Sequence, residues 1–151
     1  GIMYRYSAAL VVKYMNSKLN PYLHFDGKAK EAMEFYKSVF GGELTMSTFA
    51  QGMPGGNPGD AEKIMHAQLL AGGMTLMASD SPSEWPLNPG ASVTLSLSGE
   101  DETELKGYWD KLSEGAKIGQ PLTPAPWGDQ FGMLTDKFDM EWMVNITAKK
   151  S

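Results

Sequence analysis

The segment NPYLHFDGKAKEAMEFYKSVFGG, from Asn20 to Gly42, decides the fold of this chain. It predicts a short strand, a break at Asp26-Gly27, a helix over 28–40 and a glycine stop. Apolar residues recur in the helix at helical spacing and form one stripe: Ala29, Ala32, Met33, Tyr36, Val39 and Phe40. We expect Asp26 to cap the first amides of this helix and Gly41 to end it with a positive φ.

The same order of elements recurs in ASVTLSLSGEDETELKGYWDKLSEG, from Ala91 to Gly115. The two stop glycines, Gly41 and Gly115, lie 74 residues apart, as do Leu44 and Ile118. Repetition at about half the length of the chain indicates a duplicated unit. A chain built twice from a strand, a helix and further strands forms a pocket between two similar halves. We expect residues 1–18 to be an N-terminal extension, with 19–90 and 91–151 as the two halves of one domain.

Alternating apolar and polar residues predict strands over 43–50, 63–71, 74–79, 92–98 and 140–146, with a hairpin at Gly72-Gly73. In the last strand, Trp142, Val144 and Ile146 share one face, and Glu141, Met143 and Asn145 share the other. The segments 51–60, 81–90 and 120–132 are rich in Gly and Pro and are predicted loops, none with the pattern of a phosphate-binding loop. Large aromatic residues in such loops either cap a pocket or form a small satellite core, and both interpretations stay open for Trp85, Trp127 and Phe131.

Composition excludes several classes of function. The chain has 151 residues, a net charge of -5 and no block of basic residues, so a nucleic-acid partner is not expected. It has no cysteine, which removes disulfides and thiolate sites and is compatible with the cytoplasm, the location we expect. No apolar run reaches the roughly 18 residues of a membrane helix. Eleven methionines and four tryptophans indicate an adaptable interior, either around a ligand or simply filling the core.

Several ordered motifs between Leu19 and Thr147 resemble one known family. They are the opening segment, IMHA at 64–67, LMASD at 76–80, PWG at 126–128, FGM at 131–133 and WMVN at 142–145. The chain resembles the PhnB-like branch of the glyoxalase/bleomycin resistance/dihydroxybiphenyl dioxygenase (vicinal oxygen chelate) superfamily. The resemblance implies an α+β fold in which two tandem βαβββ modules form a curved mixed sheet around a cavity, and it implies a homodimer. Some members are labelled demethylubiquinone methyltransferases, although this sequence lacks a Gly-rich strand-to-helix turn that would hold S-adenosylmethionine.

The usual chemistry of this superfamily uses a divalent metal held by His, Glu or Gln at four places, which stabilises an enolate or alkoxide. Counting back from Phe35-Tyr36 puts the first place at Pro21, and the others fall at Ser92, within 76–78 and at Met143, so none carries a ligand. We therefore predict no cofactor. A divalent metal remains possible through His66 and Glu141, with His24 as the third member of the set. We expect His24 to lie under a helix and His66 to share a strand face with Gln68.

Two functions follow from these expectations. The first is binding of a small apolar or aromatic molecule in the inter-module cavity without the usual metal set. Its predicted contacts are apolar at Trp85, Trp127, Phe131 and Met143, and polar at Ser92, Thr94 and Glu141. The alternative is a metal-dependent lyase, isomerase or dioxygenase, with His66 and Glu141 as catalytic candidates and Asp80 or Asp129 as a further carboxylate. A dimer module with a vestigial pocket is a third interpretation.

Overall fold

The computed structural model describes residues 20–84 and 93–149. The first module contains four strands and a long helix: β1 (Tyr22–Phe25), α1 (Ala29–Phe40), β2 (Glu43–Thr48), β3 (Ile64–Ala71) and β4 (Met74–Asp80). A single helical turn, α2 (Phe49–Gly52), and a 3-10 turn (Pro58–Asp60) connect β2 to β3. The second module repeats the order with β5 (Leu95–Gly99), α3 (Glu102–Leu112), β6 (Lys117–Pro124), β7 (Gln130–Thr135) and β8 (Glu141–Ile146).

Each module forms a four-stranded mixed sheet. The strand orders are β1-β4-β3-β2 and β5-β8-β7-β6, so the two modules have the same topology. In each, the first strand runs parallel to the last, with Tyr22 opposite Met77 and Ser96 opposite Met143. The other pairings are antiparallel. The predicted α+β fold of two tandem βαβββ modules is confirmed.

The start of α1 differs from the prediction. Asp26 does not cap the helix: the N-cap position is Lys28, which makes no side-chain cap bond. Instead, Asp80 at the end of β4 accepts a hydrogen bond from the Ala29 amide at 2.9 Å and another from the Ile64 amide at 2.8 Å. Asp80 is almost fully buried, and a buried carboxylate is stable only where amide donors satisfy it. The cap therefore comes from a residue 51 positions away. The end of the helix is as expected, since Gly41 has a φ of 74°.

The predicted loop over 120–132 is wrong at both ends. Strand β6 continues to Pro124, and β7 starts at Gln130. β6 is an edge strand with two register shifts along its pairing with β7. Proline is tolerated on an edge strand because the missing amide hydrogen need not join a ladder there. The prolines at 121 and 124 therefore do not stop the strand.

Each sheet has one face that its helix covers. The two modules pack against each other on the sides of these helix-covered faces. Aromatic pairs cross this junction: Phe35 lies 5.6 Å from Phe138, Tyr36 lies 5.6 Å from Trp142, and Phe40 lies 4.9 Å from Tyr108, measured between ring centroids. As predicted, Trp142, Val144 and Ile146 are buried on this side of β8. We call the opposite face of each sheet its outer face, because neither α1 nor α3 covers it.

Within 20–84 and 93–149, none of the helices is long and apolar enough to cross a membrane. The proposed extension at 1–18 and the proposed boundary between residues 90 and 91 lie outside the described residues.

Candidate functional site

A cavity of about 510 Å³ lies between the two modules. The end of α1 contributes Phe40, the β3–β4 hairpin contributes Leu69, Met74 and Leu76, and the second module contributes Leu97 and Trp142. Three polar residues also line the cavity: Asn20, Thr75 and Ser96. The volume falls within the roughly 300–1,000 Å³ of pockets that hold small molecules, and a mostly apolar wall with a few polar groups is typical of them.

The strand pattern explains why this wall is apolar. Leu69, Leu76 and Leu97 belong to the helix-facing sides of their strands, where alternation places apolar residues. Trp142 is held in place because its indole Nε1 donates to Asp136 Oδ2 at 2.8 Å. Its ring therefore forms a rigid part of the wall rather than a mobile side chain.

The residues that the sequence pointed to lie elsewhere. Thr94, Trp127, Phe131, Glu141 and Met143 do not line the cavity. They come together instead on the outer face of the second sheet and at its margin, where Phe131 pairs with Asn145 and Met133 pairs with Met143. Trp85 and Ser92 lie outside the described residues.

A short polar chain orients Trp127 at this outer face. Its indole Nε1 donates to Asn145 Oδ1 at 3.3 Å, and the Asn145 amide donates in turn to Asp129 Oδ2 at 3.0 Å. The ring packs edge-on against Phe131, with centroids 5.4 Å apart, yet Trp127 remains 59% exposed. The pKa of Asp129 lies below its usual range, chiefly because of the Asn145 bond and secondarily because the Ala148 amide also donates to it. An exposed aromatic surface is therefore held in one orientation.

Glu141 lies at the start of β8, beside Thr94. The Thr94 hydroxyl donates to Glu141 Oε2 at 3.2 Å, so these two predicted polar contacts do meet. Met143 follows on the same outer face, opposite Ser96 of β5. The pair of Glu141 and Thr94 gives this face a carboxylate at one end, and Trp127 and Phe131 give it an aromatic surface at the other.

The outer face of the first sheet carries both histidines of the described chain. Leu23 and Phe25 are buried under α1, so the alternation of β1 places Tyr22 and His24 outside. The expectation that His24 lies under a helix is therefore wrong. Tyr22 Oη lies 3.3 Å from His66 Nδ1, and the hydroxyl donates when that nitrogen carries no proton. His66 and Gln68 alternate onto the same face of β3, as expected.

The usual metal of the superfamily does not fit the places where its ligands are expected. Of those places, Pro21 and Leu76 line the apolar cavity, Met143 has a thioether, and Ser92 is outside the described residues. Among residues 20–84 and 93–149, no three His, Asp or Glu side chains are grouped closely enough to hold a metal ion. His66 and Glu141 also belong to different sheets.

Sequence reasoning missed the cavity wall and the group around Tyr22. The signal for the second was present, because Leu23 and Phe25 alternate with Tyr22 and His24 in the opening segment. The cavity wall gave no local signal. The sequence pattern predicts only that Phe40, Leu76 and Trp142 are core residues. The space between them arises from the way the two modules pack.

The paired modules and the cavity between them define a glyoxalase-like protein. A family model described as 3-demethylubiquinone-9 3-methyltransferase matches residues 17–145. This match covers most of the chain, and the chain belongs to that family, a PhnB-like branch of the glyoxalase/bleomycin resistance superfamily. The superfamily that the sequence resembles is thus confirmed.

Individual relatives agree with this assignment. The chain is 31% identical to protein YjdN of Escherichia coli K12, over 87% of this chain and 97% of YjdN. The crystal structure of PA1353 from Pseudomonas aeruginosa is similar with a TM-score of 0.79 and 35% identity, over 89% of this chain and all of that one. A putative 3-demethylubiquinone-9 3-methyltransferase, PhnB protein, from Bacillus cereus follows with a TM-score of 0.71 and 28% identity, over 87% of this chain and all of that one. At the level of fold alone, a glyoxalase-related enzyme from Fulvimarina pelagi has a TM-score of 0.58 at 16% identity.

Proposed function

We propose that this protein binds a small, largely apolar or aromatic molecule in the inter-module cavity, without the usual metal set. The observation that carries the proposal is the composition of the cavity wall. Phe40, Leu76 and Trp142 supply apolar surface from three different elements, while Asn20, Thr75 and Ser96 supply isolated polar groups. Apolar burial of a ligand drives binding to such a wall, and a few polar contacts set its orientation.

The size of the cavity limits the class of ligand. A space of about 510 Å³ accepts a molecule of one or two rings rather than a polymer. The cavity wall contains no Lys, Arg, Asp or Glu among the described residues, so a strongly charged ligand would lose its hydration without gaining a partner. A neutral or weakly polar aromatic compound is the best match.

A fluorescent probe tests the proposal with two matched substitutions. Met74 and Met53 are both exposed methionines, but only Met74 lines the cavity, on the same face of β4 as Leu76. We expect the neutral probe N-phenyl-1-naphthylamine to bind the wild-type protein in the presence of EDTA and to quench its tryptophan fluorescence. Met74→Asp places a carboxylate in the apolar wall and weakens this binding by about tenfold or more, equivalent to about 1.4 kcal/mol. Met53→Asp leaves the binding unchanged. Equal probe affinity in both variants would show that the probe does not bind in the cavity.

The outer face of the second sheet is the other part of the proposal. Trp127, Phe131 and Met143 offer apolar contacts there, and Thr94 and Glu141 offer polar ones. We infer that a second copy of the chain covers the outer face of the second sheet in a homodimer. Two exposed apolar residues on this face or at its margin support this inference: Trp127 and Met133, which are 59% and 37% exposed. Exposed apolar groups clustered on one face are typical of an interface.

A metal-dependent lyase, isomerase or dioxygenase remains the alternative. It requires a divalent ion in near-equal ratio to the chain, lost when His66 or Glu141 is changed to Ala. Elemental analysis of purified, reconstituted protein distinguishes it from metal-free binding. The family description names methyl transfer, but the turn from β1 to α1 has only one glycine and no Gly-rich loop of the kind that holds a nucleotide cofactor. A cytoplasmic location is also part of the proposal, and cell fractionation tests it.

A further inference from the structure

The sequence contains two histidines, and the fold brings both to one tyrosine. His24 is on β1 and His66 on β3, two strands apart in the first sheet. The Tyr22 ring lies 5.2 Å from the His24 ring and 5.9 Å from the His66 ring, between centroids. Its hydroxyl oxygen is 3.3 Å from His66 Nδ1. Three nitrogen- and oxygen-bearing rings therefore converge from residues that are distant in the chain.

Small side chains flank both histidines in the sheet. In the pairing of the strands, His24 lies opposite Ser79 and His66 lies opposite Ser47. Both of these neighbours are small, and Met77, which lies opposite Tyr22, is the larger residue on this face. His24 is exposed, Tyr22 is 41% exposed and His66 is half-buried, which makes the group accessible from solvent.

We propose that His24, His66 and Tyr22 form a binding site for a divalent transition-metal ion on the outer face of the first sheet. Imidazole nitrogens suit Cu²⁺, Ni²⁺ and Zn²⁺, and a mixed nitrogen and oxygen set favours Cu²⁺ most strongly. The two imidazoles are the first two ligands. The Tyr22 oxygen is the third: on binding, its proton passes to solvent and its hydrogen bond to His66 is replaced by a bond to the metal. Metal affinity therefore rises with pH.

This site differs from the ones considered above. None of its three residues occupies the places at Pro21, 76–78, Ser92 or Met143, and none lines the inter-module cavity. Glu141, the partner that the sequence offered for His66, belongs to the other sheet. The two proposals can fail independently of each other. Probe binding in the cavity is measured in EDTA, which removes metal ions, whereas this site is tested by adding a metal ion.

Titration of full-length, tag-free protein with CuCl₂ tests the site. Calorimetry should give one Cu²⁺ per chain, and absorption should show a phenolate-to-copper charge-transfer band. His24→Ala and His66→Ala should each weaken binding at least about tenfold, since each removes one direct ligand. Tyr22→Phe should remove the absorption band while the two imidazoles retain weaker binding. Gln68→Ala changes a residue on the same face without removing a proposed ligand, and it should bind as wild type does.

Nuclear magnetic resonance on the unaltered protein gives a second measurement that needs no variant. Because the chain has only two imidazoles, substoichiometric Cu²⁺ should broaden both of their ring signals before any others. Unchanged signals, or full binding by a folded His24→Ala/His66→Ala protein, would overturn the proposal. Binding that is lost in the histidine variants but never shows the tyrosinate band would overturn the role of Tyr22.

Discussion

The Tyr36 hydroxyl donates a hydrogen bond of 2.6 Å to Asp136 Oδ2 across the junction of the two modules. Tyr36 is fully buried on α1, and Asp136 follows β7 in the second module. Trp142 Nε1 donates to the same oxygen, and the amides of Phe138 and Met140 donate to Oδ1 at 2.8 and 3.0 Å. Four donors thus satisfy one buried carboxylate. Since a buried charge is costly without partners, this arrangement fixes how the modules meet.

Replacing Tyr36 by Phe removes one of these donors and leaves the other three. A hydrogen bond to a charged group contributes about 1.5–3 kcal/mol, and we expect the free energy of unfolding to fall by that amount. Urea denaturation followed by circular dichroism measures it. Tyr108→Phe is the matched control, because its hydroxyl donates to Glu104 on the surface of α3. The control should change stability by less than about 0.5 kcal/mol. Equal losses in both variants would contradict the role given to the buried bond.

Alkaline pH should weaken the fold through the same residue. Burial, and secondarily the charge of Asp136, raise the pKa of Tyr36 far above its ordinary value of 10.0. Above pH 10 the unfolded chain therefore releases a proton that the folded protein keeps, so the free energy of unfolding falls as the pH rises. One such group contributes a slope of up to about 1.4 kcal/mol per pH unit. The slope between pH 10 and 11 should be shallower in Tyr36→Phe than in wild type. Identical slopes would show that Tyr36 ionises normally in the folded state.

Acidic pH should break the hydrogen-bonded chain through Asn145 and Asp129 that orients Trp127. The pKa of Asp129 is below its ordinary value of 3.8 because Asn145 and then Ala148 donate to it. This stabilisation is fully present above pH 3.8 and is lost as the pH falls through the lower, folded-state pKa. The carboxyl signal of Asp129 should titrate below 3.8 in wild type, and the indole NH signal of Trp127 should shift with it. Asn145→Ala should move the Asp129 midpoint upward, and a midpoint that does not move would contradict the hydrogen-bonded chain.

The proposed dimer makes a prediction about oligomeric state. Trp127 and Met53 have nearly the same exposure, 59% and 60%, but only Trp127 belongs to the outer face of the second sheet and its margin. Trp127→Asp places a charge in the proposed interface and should shift the protein from two copies to one in light scattering after size exclusion. Met53→Asp should leave the dimer intact. A monomeric wild-type protein, or dissociation by both variants, would argue against this interface.

Local sequence patterns were sufficient to predict most of the fold. The apolar stripe of α1, the alternation of β4 and β8 and the glycine at position 41 each act within a few residues, and each was predicted within about two residues. The errors were of a different kind. Asp80 replaced Asp26 as the cap, and an edge strand ran through Pro121, because partners from distant segments changed what the local sequence favours.

The candidate site was predicted less well. Glu141 and Met143 share one face of β8, as its alternation predicts, and Thr94, Trp127 and Phe131 lie on the same face of the sheet or beside it. The strand that carries Phe131, β7, was not predicted, because its first residues fall in the predicted loop over 120–132. The inter-module cavity could not be predicted this way. Its wall combines Phe40, Leu76 and Trp142, and the space between them depends on how two separately predictable modules pack.

The sequence by itself determined that this chain is a pair of similar βαβββ modules, because helix periodicity, strand alternation and glycine stops are encoded by neighbouring residues. Only the tertiary structure decided which polar groups meet. The bond between Tyr36 and Asp136 spans 100 residues, and the group around Tyr22 joins strands 44 residues apart. Such pairs are set by the register of strands and the docking of modules, and these depend on the burial of apolar surface over the whole chain rather than on any one segment.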